Sequence, residues 1–318
     1  MQKFVSIIIP CREIDRYTQE CIKHCLKLDY KNFEILVLTD SKSKNKFGKL
    51  VKIIETGKVK PSIKRNIAMK KSKAEIFAFI DSDAYPAKDW LKNAVKYLEE
   101  EKWGMVGGPN LTPKEDNFRQ KMSGVLFSTW IVGGRTAIRY KIAKNQETVE
   151  LPSCNFIVKS KDAAVFESDL LTAEDSKFCF SIIKKGKKIL YANDVIVYHH
   201  RREVFKEHLK QVWTYGRDIA MLLRRESFSL DKSYYFLLSL FVLGVVIGGA
   251  LSFFIQLIRQ IYLACLSLYL LIIFISSIKK DVKEIPYLFI GIIITHFYYG
   301  IGFMQGLIIK PGKELNKR

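Results

Sequence analysis

Short apolar runs alternate with helix-spaced stretches over the front of the chain, and long uncharged runs take over after residue 232. Residues 5–9, mostly β-branched, predict a strand buried on both faces. Helical spacing follows over 16–28. Residues 33–38 predict a second strand, ending at Thr39-Asp40-Ser41, and 52–54 a short third. Pro61 and Ser62 open a helix over 62–71. A fourth strand at 76–80 ends at Asp81-Ser82-Asp83, and 195–198 predicts a strand that delivers His199-His200-Arg201-Arg202. This alternation predicts an α/β sandwich with its ligand at the carboxyl edge of the sheet.

Three runs carry no formally charged residue: 233–258, 260–278 and 285–309, of 26, 19 and 25 residues. A helix needs about 20 apolar residues to cross the hydrocarbon layer. The expectation is therefore a membrane anchor of three transmembrane helices over 233–309, with a tight hairpin at Arg259-Gln260. The third run contains His296, Tyr298, Tyr299, Gly300, Gly302, Gln305 and Gly306, residues that pack helices together or line a cavity. Arg217, Arg224, Arg225 and Lys232, then Lys279, Lys280 and Lys283, put the front part on the cytoplasmic face. A basic tail at 310–318 pulls against a third crossing, and a re-entrant third run would reconcile the two. Ahead of the anchor, 201–232 reads as a helix and linker. Phe205, Leu209, Val212, Gly216, Ile219 and Leu223 share one helical face, opposite Lys206, Lys210, Arg217, Arg224 and Arg225. Two readings fit this face: packing on the domain, or an interfacial helix on anionic headgroups.

Charge sharpens the division. The chain has 318 residues, 52 basic and 32 acidic, for a formal net charge of +20. Residues 233–318 hold eight of the basic and three of the acidic groups, which leaves 44 and 29 on the front part. A hydrophobic fraction of 48% with 13% aromatics excludes a disordered chain. The lysines are scattered and do not form an arm with interleaved aromatics, so the excess charge points to an anionic membrane surface and anionic donors, and away from nucleic acid. Six cysteines without a CxxC pair argue against a disulfide framework and for a reducing, cytoplasmic face; Cys21 and Cys25, one helical turn apart, read as packing. Residues 4–10 are too short for a signal-peptide core and end in Pro10-Cys11-Arg12-Glu13.

Candidate chemistry lies at the strand ends. Asp81 and Asp83, two residues apart after an apolar strand, can both turn toward one site, and hard divalent cations prefer such oxygen ligands. Glu174-Asp175 reads either as a helix N-terminus capped by Thr172, or as a general base that takes a proton from an attacking hydroxyl. His199-His200-Arg201-Arg202 suits either a structural role or metal and phosphate contact.

Taken in order, Ser6-Ile7-Ile8-Ile9-Pro10, residues 34–40 ending at Asp40, Lys64-Arg65-Asn66, Phe79-Ile80-Asp81-Ser82-Asp83, Pro152-Ser153-Cys154-Asn155, Glu174-Asp175 and Val197-Tyr198-His199-His200 resemble the stations of family 2 glycosyltransferases. The resemblance implies a GT-A nucleotide-sugar-binding domain, a Rossmann-like mixed sheet, over 1–200, and inverting transfer of a hexose from a nucleotide donor. Gln211-Val212-Trp213-Thr214-Tyr215-Gly216-Arg217 and His296-Phe297-Tyr298-Tyr299-Gly300-Ile301-Gly302-Phe303 are similar to membrane-anchored members, such as succinoglycan-type glucosyltransferases, that build cell-envelope polysaccharides. By that resemblance Asp40 would meet the base edge, UDP being the favoured nucleotide, with the Pro10-Cys11-Arg12 turn beneath. Arg65 would face the nucleotide, and Asp81 would contact ribose or metal. Asp83 would hold Mg2+ or Mn2+ on the diphosphate, with His199 as a further ligand. Asp175 would be the base and Glu174 would orient the acceptor.

The pattern departs from the family in two places. Thr39 stands where many members carry a second aspartate, and the Gln-x-x-Arg-Trp motif of processive synthases is missing after Gln211. Addition of a single sugar is therefore favoured, onto a lipid-linked saccharide or glycolipid. The alternatives are a polyprenyl-phosphate sugar synthase and a basic membrane scaffold without catalysis. A phosphate acceptor is already ionised and scarcely needs a base, so Glu174-Asp175 favours a hydroxyl.

Overall fold

The computed structural model describes residues 2–168, 172–225, 230–278 and 281–309. Leu170, Leu171, Glu226, Lys279, Lys280 and the basic tail at 310–318 lie outside the described residues, as does the Lys232 side chain. Two units make up the chain. Met1–Asp116, Ile138–Ser168 and Glu174–His200 form the first; Asn117–Ala137, Asp169–Ala173 and Arg201–Arg318 form the second. Two stretches inside the expected 1–200 domain, Asn117–Ala137 and Asp169–Ala173, thus go with the second unit.

The order is β1 (Val5–Pro10), α1 (Arg16–Cys25), β2 (Phe33–Thr39), β3 (Val51–Glu55), α2 (Pro61–Lys71), β4 (Ile76–Phe79), β5 (Ala84–Pro86), α3 (Trp90–Leu98), β6 (Trp103–Gly107) and β7 (Asn110–Leu111). Then come α4 (Phe118–Ser128), α5 (Trp130–Gly133), β8 (Gln146–Thr148), β9 (Phe156–Lys159), α6 (Glu174–Lys184), β10 (Lys188–Tyr191), β11 (Val197–His199) and α7 (Lys206–Arg225). The tail adds α8 (Leu237–Leu243), α9 (Gly249–Ser252), α10 (Gln256–Ile278) and α11 (Ile285–Ile308).

The first unit carries a mixed sheet in the order β3-β2-β1-β4-β9-β6-β10-β8. β1 to β4 run parallel, and β1 is buried throughout, as its apolar run requires. Side chains alternate between the two faces. Ile7, Ile9, Ile35 and Val37 enter one core, while Ile8, Leu36, Phe77 and Phe79 enter the other. Cys21 and Cys25 of α1 fill the first core, and all six cysteines are free thiols.

Register decides where the strands end. Pro10 pairs with Leu38 and Ile8 with Phe79, so the chain leaves β1, β2 and β4 at one edge. β9 runs antiparallel between β4 and β6, with Phe156 opposite both Phe79 and Gly107; Pro152-Ser153-Cys154-Asn155 therefore enters at that same edge. A second sheet, β5-β11-β7, sets His199 opposite Ala84.

In the second unit, Asn117 and Gln120 cap α4 reciprocally. Among the described residues, three helices are long and apolar enough to cross a membrane: Ser233–Ser252, Gln256–Ile278 and Ile285–Ile308. The first two join earlier than the charge pattern predicts. The Arg259 amide bonds to Ile255 O at 3.0 Å, so Arg259 sits inside α10 and the turn falls at Phe253-Phe254-Ile255, not at Arg259-Gln260. The third run is one continuous helix of 24 residues.

The apolar face of α7 is covered by protein: Ala220 and Leu223 pack with Phe303 of α11. A Cβ on Gly302 would come within 2.2 Å of the Trp213 carbonyl oxygen, so the two backbones approach as closely as they do only because that position is glycine. Arg217 leaves the expected basic face. It is buried against Asp218, with 2.9 Å between Nε and Oδ1, and its guanidinium lies over the Trp213 ring.

Candidate active site

Every group of the site belongs to the first unit. β2 ends at Thr39, and the Asp40 amide bonds to the Arg12 carbonyl at 2.9 Å. Arg12 contributes that carbonyl while its side chain stays exposed, and Pro10 closes β1 beside it. Lys64, on the buried face of α2, donates to both the Asp40 carboxylate and the Cys11 carbonyl. Its neighbour Arg65 is buried too. Its Nη2 lies 2.7 Å from Asp81 Oδ1 and its Nη1 3.3 Å from Glu174 Oε1. One guanidinium therefore ties the end of β4 to the start of α6.

Asp81, Asp83 and His199 present ligand atoms that all lie within 4.8 Å of one another. His199 Nε2 is 3.1 Å from Asp83 Oδ1. Burial opposes charge on this imidazole, but Asp83 and the Cys154 thiol override it and raise its pKa to about 10. The next residue holds the strand end in place: His200 Nδ1 meets Asp116 at 2.5 Å, its Nε2 meets Glu20 at 3.1 Å, and its amide bonds to Asp83 O at 3.0 Å. Two carboxylates and one imidazole, all partly exposed, form a donor set that fits a divalent ion with phosphate oxygens completing its shell.

Glu174 and Asp175 occupy the first turn of α6. Burial first, then the Asp175 charge, pushes the Glu174 carboxyl above the usual range, with Arg65 pulling the other way. Burial and then Glu150 raise Asp175, against Arg139. Asp175 accepts the Ser176 amide at 2.8 Å and the Ser153 amide at 3.4 Å. Arg65 Nε and Glu174 Oε2 are buried and make no hydrogen bond, so the site keeps unsatisfied polar atoms beside its acids. Thr172 does not take up the predicted cap role: its amide and hydroxyl both go to Asp218 Oδ2, at 2.9 and 3.1 Å.

Several participants have no local sequence signature. Arg139 pairs with Glu150 at 3.2 Å, and Glu150 also takes the Ser176 hydroxyl beside Asp175. Asn155 is buried. Its Oδ1 accepts Trp90 Nε1 at 2.8 Å and its amide donates to Pro109 O and Val195 O, which stitches the Pro152–Asn155 turn to the start of α3 and to two loops. The Asn155 station was visible in the sequence; the Arg139–Glu150 pair was not.

Comparison with known proteins agrees with this geometry. A family model for glycosyl transferase family 2 matches residues 6–166, half of the chain. A dolichyl N-acetyl-α-D-glucosaminyl phosphate 3-β-D-2,3-diacetamido-2,3-dideoxy-β-D-glucuronosyltransferase of Methanococcus voltae is 26% identical over 96% of this chain and 97% of its own length. Glycosyltransferase AglE of Haloferax volcanii is 24% identical over 76% of this chain and 80% of its own. Among solved structures, the mannosyltransferase PcManGT of Pyrobaculum calidifontis, in complex with GDP-Man and Mn2+, shares the fold with a TM-score of 0.56 at 16% identity, over 97% of this chain and 88% of that one. With a mixed GT-A sheet, acidic groups gathered at its carboxyl edge and a family match over residues 6–166, the chain belongs to glycosyl transferase family 2.

Proposed function

We propose that the protein transfers a hexosyl group, with inversion, from a nucleotide-sugar donor to a hydroxyl of a lipid-linked saccharide or glycolipid, and that it does so with Mg2+ or Mn2+ on the diphosphate. One observation carries the reading: Arg65 links the Asp81–Asp83–His199 group to the Glu174–Asp175 pair. Donor phosphates and acceptor base then belong to a single site. When bound, the ion offsets the charge that develops on the leaving diphosphate. Asp81, Asp83 and His199 would hold it.

The remaining work falls to the protein's own groups. Asp40, steadied by Lys64, offers an acceptor to the base edge above the Pro10-Cys11-Arg12 turn. Arg65 is committed to Asp81 and Glu174, so it holds the two acidic stations at a set spacing and acts on the nucleotide through Asp81. Glu174 is held by Arg65 and orients the acceptor. Asp175 takes the hydroxyl proton, and its raised pKa makes it a stronger base than an exposed aspartate. The Methanococcus relative's name describes transfer to a dolichyl-linked sugar phosphate, an acceptor with a sugar hydroxyl, which favours this reading over transfer to polyprenyl phosphate itself.

For anchoring, α8–α9 and α10 expose many large apolar side chains, including Leu240, Val246, Leu257, Ile261, Leu263 and Leu268. Such helices are at home in hydrocarbon. The reading puts them in the membrane with the catalytic unit cytoplasmic and its excess basic charge toward anionic lipid.

The test is nucleotide release by the purified chain from a panel of UDP- and GDP-sugars, UDP-sugars first, with lipid-linked sugar or polyprenyl phosphate as acceptor. Release that depends on a lipid-linked sugar and a divalent ion is expected. Release with polyprenyl phosphate alone would favour the synthase reading, and no release with any pair would overturn both.

A further inference from the structure

α11 differs from the other two apolar helices in what surrounds it. Its start meets Phe118 of α4 and Phe205 through Tyr287, with ring centroids 5.1 and 6.2 Å apart. Gly291 lies against Leu126 of α4. His296 Nε2 bonds to Ile131 O of α5 at 2.8 Å. Beyond that, α7 runs beside it in the same direction. His208 touches Thr295, Trp213 meets Gly302, Arg217 meets Gly306, and Arg224 bonds to Ile309 O at 2.7 Å. Two helices that carry charged residues, α4 and then α7, thus accompany α11 from one end to the other.

Level along the helix is the deciding fact. Thr295 is the eleventh of the 24 residues of α11, close to its midpoint. Its Oγ1 lies 3.1 Å from His208 Nε2, and His208 bonds on through Nδ1 to Ser123 at 2.8 Å. Lys206, Glu207 and Lys210 flank His208 and are exposed. Were α11 to cross a bilayer, these charges would sit near the hydrocarbon mid-plane, the costliest depth for them. Aligned with its long axis in the membrane plane, α11 leaves them at headgroup level.

The exposed side of α11 suits that posture. Ile290, Tyr298, Ile301 and Ile308 are its large exposed apolar residues. At about 100° per residue they fall within a sector of about 80°, one lipid-facing stripe along the whole helix. Residues buried against protein, such as Leu288, Ile292, Thr295 and Phe303, occupy the other side. By contrast, the exposed residues Leu257, Ile261, Leu263, Leu268, Leu271 and Phe274 of α10 spread over a sector of about 160°, twice as wide.

We infer that α11 is not a third crossing: it lies in the interface as a platform with α4, α5 and α7, and the chain crosses the membrane twice, by the α8–α10 hairpin. This rests on the anchoring reading above and deepens it. An even number of crossings returns residues 310–318 to the face of the catalytic unit. Lys310, Lys313, Lys317 and Arg318 then obey the positive-inside rule that three crossings would violate.

Sidedness tests it in the full-length chain. Cys265 is the exposed cysteine and the other five are buried, so Cys265→Ser gives a quiet background. Lys73→Cys, at an exposed position of the catalytic unit, and Lys317→Cys are introduced separately. Sealed vesicles of one orientation are washed with carbonate and treated with a membrane-impermeant maleimide. The expected result is that both positions label in the same vesicle orientation and both are protected in the opposite one until detergent is added. Labelling of residues 73 and 317 from opposite sides, in a chain that stays with the vesicles, overturns the two-crossing topology and leaves the anchoring reading standing. Release of the chain by carbonate overturns the anchoring reading and this inference with it.

Discussion

Asp175→Asn separates chemistry from architecture more cleanly than any other change at the site. The side chain accepts the Ser176 amide at 2.8 Å through Oδ1 and the Ser153 amide at 3.4 Å through Oδ2. Asparagine keeps one carbonyl oxygen for the shorter bond and loses the longer, weaker one, at a cost of about 1 kcal/mol. Against that loss stands relief. Burial, and Glu150 after it, raise the Asp175 pKa, so its charged form is disfavoured in the fold. A carboxyl whose folded pKa lies above its unfolded one contributes stability at low pH that is lost as pH rises through the raised value. Asparagine does not titrate, so the variant should lose less stability than the parent as pH rises from the ordinary carboxylate range through neutrality. The net change at neutral pH should stay within about 1 kcal/mol.

Turnover should behave differently. Loss of a general base typically costs about 10²–10⁴-fold, or about 3–5 kcal/mol of barrier. The assay pairs acceptor-dependent nucleotide release with donor binding and thermal unfolding of the same preparation. A folded, donor-binding Asp175→Asn protein whose transfer rate lies within a few-fold of the parent would refute the assignment and move the role to Glu174.

Three further outcomes follow from named contacts. Asp83→Ala removes one ligand of the Asp81–Asp83–His199 group, so chelation should abolish donor turnover in the parent, Mg2+ or Mn2+ should restore it, and the variant should need at least about tenfold more metal; full activity of the variant in chelator would sink the metal assignment. Arg65→Met strips the buried partner from Asp81 and Glu174 and should destabilise the fold by about 3–5 kcal/mol, read by chemical unfolding; a loss under about 1 kcal/mol would show that the bridge is not the link between the two stations. Gly302→Ala drives a Cβ to 2.2 Å from the Trp213 carbonyl oxygen and should cost about 1–3 kcal/mol in detergent-solubilised protein, whereas the same change at Gly244, where a Cβ would meet nothing within 4 Å, should be close to neutral.

Local pattern alone marked the elements whose physics is local. Apolar runs at 5–9, 33–38 and 76–80 became β1, β2 and β4 because a strand buried on both faces must be apolar without interruption. Their ends pointed to Asp40, Asp81 and Asp83, since polar residues that close buried strands must face a sheet edge. Glu174 and Asp175 do open a helix, α6, as their place after a small apolar stretch suggested. The uncharged runs after residue 232 did form long apolar helices, because length and lack of charge are properties of the run itself.

What the chain could not disclose in one dimension depends on partners far away in sequence. β9 is a short apolar run like the others, and only pairing between β4 and β6 makes it antiparallel and brings Ser153 to Asp175. Arg65 looked like a nucleotide-facing cation; burial against Asp81 and Glu174, 16 and 109 residues on, makes it an internal bridge. The apolar face of α7 invited membrane or domain with equal force, until α11, about 90 residues downstream, covered it through Gly302. Hydrophobicity is a property of a residue and survives in the sequence. Which surface satisfies it, and which charge neutralises which, is settled only when distant segments meet, because desolvation and Coulomb energy depend on neighbours in space.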